Sequence, residues 1–73
     1  MPTLRVEMFA GRSVEQKRTL ARELTEATVR ALGVPASAVE VLFYDIERSD
    51  WAVGGTLCSE AGPPPQSSPS SSA

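Results

Sequence analysis

The chain opens Met1-Pro2-Thr3-Leu4, and the proline is the residue best suited to chemistry. Methionine aminopeptidase removes an initiator methionine when the next residue is small, and proline qualifies, so Pro2 is expected to become a terminal secondary amine. An ordinary α-amino group titrates near about 7.7–8.0, and the amine of proline is intrinsically more basic. A nearby cation and an apolar pocket would each disfavour its protonated form and draw it towards neutrality. A base poised near pH 7 suits the removal of a proton next to a carbonyl. A Met-Pro start is equally an ordinary way to begin a strand. What singles it out here is the alternating segment that follows at once, because an amine at the mouth of a strand is held in place whereas one on a frayed end is not.

The other reactive side chains offer less. Cys58 is the only cysteine and the chain has no histidine, so an activated thiol, an internal disulfide and a Cys/His zinc cluster are all excluded, and Cys58 reads as a small apolar filler. Asp45, Glu47 and Asp50 surround a strand end and a turn, where a solvated acidic edge is the ordinary arrangement. Nine acidic and seven basic residues give a net charge of −2, with the two signs interspersed. Such a chain lacks the basic stripe that nucleic acid requires. No run of about 18 apolar residues suggests a membrane span, and the opening residues do not resemble a signal peptide. A soluble cytoplasmic protein without metal or organic cofactor is the expectation.

The elements that must position Pro2 follow from periodicity. Thr3 to Phe9 alternates, with Leu4, Val6 and Met8 on one face and Arg5 and Glu7 on the other, as in a strand covered on one side. Ser13 with Gln16 three residues later forms a capping box that starts a helix at Val14. Leu20, Leu24, Ala27, Ala31 and Leu32 make one apolar stripe. Gly33 supplies a left-handed cap and Pro35 forbids continuation, so the helix is predicted over 14–32. Val39 to Ile46, rich in β-branched and aromatic residues, reads as a second strand. The fold class is therefore α/β: a single β-α-β unit with parallel strands, its right-handed crossover placing the helix on one sheet face.

Nothing in the chain is left to cover the opposite face. Val41 and Phe43 on one side and Leu42 and Tyr44 on the other suggest that both faces are buried, and a two-stranded sheet is not stable alone. A domain of about 60 residues is marginal without disulfide, metal or oligomerisation, and the first two are missing. Packing of sheets between subunits is the expected remedy. Trp51 to Gly55 looks like a short hairpin or arm, with Trp51 costly to expose unless it packs on a neighbour. The domain is assigned to residues 2–60, and the proline- and serine-rich stretch 61–73 to a disordered tail.

Taken in order, Pro2, Gly11-Arg12-Ser13, Glu15-Gln16-Lys17, Thr25-Glu26-Ala27, Pro35, Trp51 and Gly54-Gly55 resemble the pattern of the 4-oxalocrotonate tautomerase family, over residues 2 to about 58. The resemblance implies a homohexamer, a trimer of dimers, with active sites assembled from neighbouring subunits. It implies that the terminal proline, here Pro2, acts as base and then acid in converting a 2-hydroxydienoate into its conjugated ketone. Arg12 matches the arginine that holds a substrate carboxylate, which a guanidinium can grip bidentately. As a cation it would also help to depress the proline amine. Trp51 stands where the family often carries phenylalanine, an apolar wall that keeps water from the base; a plain interface anchor is the alternative role.

Glu40 departs from the pattern. The best-known members place a second arginine there, which stabilises charge developing on oxygen. A carboxylate in that pocket would repel a dicarboxylate and raise the proline amine. Either the side chain points away, another donor substitutes, or the substrate differs. The expected function is keto-enol proton transfer on a small enol or dienol carboxylate. The alternatives are a hydratase or dehalogenase, decarboxylase or cyclase on the same fold, or a non-catalytic subunit of a mixed hexamer.

Overall fold

A computed structural model describes residues 1–61 of the chain. The tail expected at 61–73 lies, apart from Ala61, outside the described residues. Strand β1 (Thr3–Phe9) leads into helix α1 (Val14–Leu32), which returns to strand β2 (Glu40–Ile46). The two strands pair in parallel, from Thr3 opposite Glu40 to Phe9 opposite Ile46. A hairpin follows, β3 (Ala52–Val53) and β4 (Thr56–Leu57), paired antiparallel around Gly54-Gly55. Both turn glycines have positive φ, 63° and 88°, a backbone region in which a side chain would be strained.

Local chemistry sets the helix ends. The Ser13 hydroxyl accepts the Gln16 N–H at 3.1 Å, and the Gln16 side-chain oxygen accepts the Ser13 N–H at 3.0 Å, so the capping box is complete. Gly33 ends the helix in the left-handed conformation, its N–H donating to the Val29 carbonyl at 2.9 Å. A single 3-10 turn, Ala36–Ala38, then occupies the link, and the Val39 N–H donates to Ala36. For that reason β2 starts at Glu40, one residue later than its composition suggests.

Leu4, Val6 and Met8 on β1 share a face with Val41 and Phe43 on β2, and all five are half-buried. Asp45 belongs to the same face and pairs with Lys17 of the helix at 2.5 Å, which identifies this face as the one beneath α1. The helix itself is turned from the expected stripe. Leu20 and Leu24 are half-buried as expected, but Ala27, Ala31 and Leu32 are exposed, and Ala21, Thr25, Thr28 and Val29 take their place towards the sheet. Thr28 can face inward because its hydroxyl donates to the Leu24 carbonyl at 2.8 Å, leaving no unsatisfied polar group.

The opposite face is bare within one chain. Leu42 is 40% and Tyr44 41% exposed, and among the described residues none is fully buried. One layer of helix on two strands shields each apolar side chain from one direction only.

Candidate active site

Pro2 lies at the mouth of β1. Its carbonyl accepts the Glu40 N–H at 3.0 Å, which extends the parallel ladder by one bond and fixes the proline beside the start of β2. Pro2 is half-buried, whereas Met1 is 82% exposed and packs on little. Glu40 is exposed and sits at the same end. Its place in the alternation puts it on the bare face with Leu42 and Tyr44, away from α1.

Arg12 and Trp51 lie at the other end. Ala10 donates its N–H to the Ile46 carbonyl at 2.9 Å, closing the far end of the sheet. Gly11 then turns the chain at φ 122°, and Arg12 stands exposed immediately before the helix cap. Trp51 follows the 3-10 turn Arg48–Asp50. Its ring centroid is 4.8 Å from that of Phe9, tilted by 58°, a favourable aromatic arrangement. Its carbonyl accepts the Cys58 N–H at 2.7 Å, tying the hairpin end to the tryptophan. The Cys58 thiol is free and half-buried.

Sequence reasoning did not single out Phe9 or Arg48. The Arg48 guanidinium carbon lies 4.1 Å from the Phe9 ring centroid, within cation–π range. Phe9 and Trp51 are far apart in sequence, so their stacking leaves no local signal, and Arg48 is hidden among Glu47, Ser49 and Asp50.

Seven residues separate the two ends, about 20 Å at the rise of a strand. One chain therefore brings Arg12 and Trp51 to the same end of the sheet and holds Pro2, with Glu40, at the opposite one. No single copy can present all three candidate residues to one small molecule.

This is a β-α-β unit with a bare sheet face and its candidate residues divided between its ends. The chain belongs to the tautomerase family: the family description "Tautomerase enzyme" matches residues 2–61. A probable tautomerase of Streptococcus pneumoniae is 44% identical over 57 residues, covering 78% of this chain and 95% of the relative. The 2-hydroxymuconate tautomerase of Comamonas testosteroni is 36% identical over 62 residues, covering 85% and 98%. Among solved structures, a heterohexameric 4-oxalocrotonate tautomerase from Chloroflexus aurantiacus superposes with a TM-score of 0.79 at 39% identity, over 85% of this chain and 100% of that one.

Proposed function

We propose that the chain is an isomerase that moves a proton within an enol or dienol carboxylate, with Pro2 as base and acid once Met1 is removed. The observation that carries this reading is the setting of Pro2. Its carbonyl is locked to Glu40, while Met1 is 82% exposed. Cleavage of Met1 thus costs the fold little and leaves a secondary amine at a fixed position. In the reaction the amine accepts the enol hydroxyl proton and its protonated form delivers a proton to the distal carbon, so the product is an isomer and no co-reactant is consumed. Arg12 holds the substrate carboxylate and Trp51 walls off water.

With the two ends so separated, Arg12 and Trp51 of one copy act together with Pro2 of another, a reading that the length of β1 supports. The bare face of Leu42 and Tyr44 is the surface through which copies associate, and the assembly is a homohexamer; a solved relative of the same fold, a hexamer of unlike subunits, supports the number six and not the identity of the subunits. A substrate of the 2-hydroxymuconate class fits the likeness to the Comamonas enzyme.

The test is to confirm loss of Met1 by intact mass and to measure ketonisation of 2-hydroxymuconate and phenylenolpyruvate. Pro2→Ala still permits methionine removal but supplies a primary amine, and it is expected to lower turnover by about two orders of magnitude or more, the usual worth of a positioned base. Unchanged turnover removes Pro2 from the mechanism. A second reading, a non-catalytic subunit of a mixed hexamer, draws support from the carboxylate of Glu40 at the proline end. It predicts an inactive pure homomer that regains activity only with a similar-sized partner.

A further inference from the structure

Arg48 is held on aromatic surface and not by a carboxylate. Its guanidinium lies against Phe9, which in turn packs on Trp51. Glu47 and Asp50 are its neighbours in sequence, yet the only ion pair among the described residues joins Lys17 to Asp45. A guanidinium resting on a ring is weakly hydrated and keeps its N–H donors available for an anion. Arg12, three residues beyond Phe9, is likewise exposed and unpaired at this end. Two guanidiniums thus belong to the end of the sheet that carries the aromatic wall, Arg48 in contact with it and Arg12 three residues along the chain from Phe9, whereas the opposite end offers Glu40.

We propose that Arg48 is a second anion-holding residue, and that the ligand taken beside Trp51 carries two carboxylates, one for Arg12 and one for Arg48. The inference rests on the reading that Arg12 and Trp51 form the binding end of the site. A second guanidinium at this end also offsets the repulsion that Glu40, carried beside Pro2 of the neighbouring copy, exerts on a dicarboxylate.

Binding of inert acids tests this without catalysis. Trp51 is the only tryptophan, so its fluorescence can be titrated in the assembled protein with adipate, a six-carbon dicarboxylate, and with hexanoate, its monocarboxylate counterpart. At low ionic strength adipate is expected to bind about tenfold more tightly, and Arg48→Gln to reduce that ratio to about two or less, with Arg48→Lys in between. An unchanged ratio in Arg48→Gln, or equal weakening of both acids, makes Arg48 a mere brace for Phe9 and overturns the proposal. So does the lack of a saturable response to millimolar adipate in the unmodified protein. Should Arg48→Gln fail to fold by circular dichroism, Arg48→Lys, which keeps the charge but loses the planar fork, decides: it must lower the adipate-to-hexanoate ratio, and an unchanged ratio refutes the proposal. A protein that prefers adipate but turns over no enol acid would sink the proton-transfer reading and leave this one standing.

Discussion

Leu42→Asp should take the proposed assembly apart. In one chain Leu42 is still 40% and Tyr44 41% exposed. Full burial of a large apolar side chain is worth about 1.5–3 kcal/mol, so covering the remainder of Leu42 contributes about 1 kcal/mol per copy and Tyr44 a similar amount. Aspartate forfeits the leucine share and places a carboxylate without a partner in the contact, at a further cost of about 3 kcal/mol after relaxation. A total near 4 kcal/mol per copy corresponds to roughly a thousandfold weaker association. Because no described residue is fully buried within one chain, dissociation should also lower the melting temperature and make it depend on protein concentration. Sedimentation velocity over a dilution series, with circular dichroism melts at the same concentrations, reads both quantities. Leu42→Ala should give an intermediate shift. A Leu42→Asp protein that keeps the native sedimentation coefficient and melting temperature at micromolar concentration would show that the bare sheet face is not where copies meet.

Ser13→Ala removes the hydroxyl that accepts the Gln16 N–H; a loss of about 1 kcal/mol in chemical denaturation is expected, and no loss would mean that the cap is satisfied by other means. Asp45→Asn breaks the pair with Lys17, whose partners are 42% and 26% exposed. Its effect on stability should stay under about 1 kcal/mol and shrink further in high salt, as denaturation at two ionic strengths would show.

Much of the fold was legible because its signals are local. The alternation from Leu4 to Met8, the Ser13 and Gln16 box and the Gly33 stop fall where the structure has them, since each acts within one or two turns of chain. The rotation of α1 was not legible. Alanine at 27 and 31 scores as apolar, but the choice between Ala27 and Thr28 as the inward residue depends on the sheet beneath and on the bond from Thr28 to Leu24. A turn was expected around Glu47 and Asp50, but the 3-10 form of Ala36–Ala38, Arg48–Asp50 and Cys58–Glu60 was not, since such short pieces lack the periodic pattern that longer elements write into sequence. Of the candidate site, Pro2, Arg12 and Trp51 could be named as separate residues, but Phe9 and Arg48 become neighbours of Trp51 only once the strand ends are folded together. On the proposed reading, the grouping of all of these around one ligand depends on contacts between chains, which no intrachain spacing encodes.

On the proposed reading, the distance between Pro2 and Arg12 along β1 makes every copy a donor to two different reaction chambers. A lesion at the proline end disables one of them, and a lesion at the arginine end disables the other. After duplication of the gene, one descendant could lose its amine and its sibling its guanidinium, and a ring built from both would still hold intact chambers at some of their junctions. Inheritance would then act on the ring, with each polypeptide free to drift at one end so long as its neighbour keeps the other.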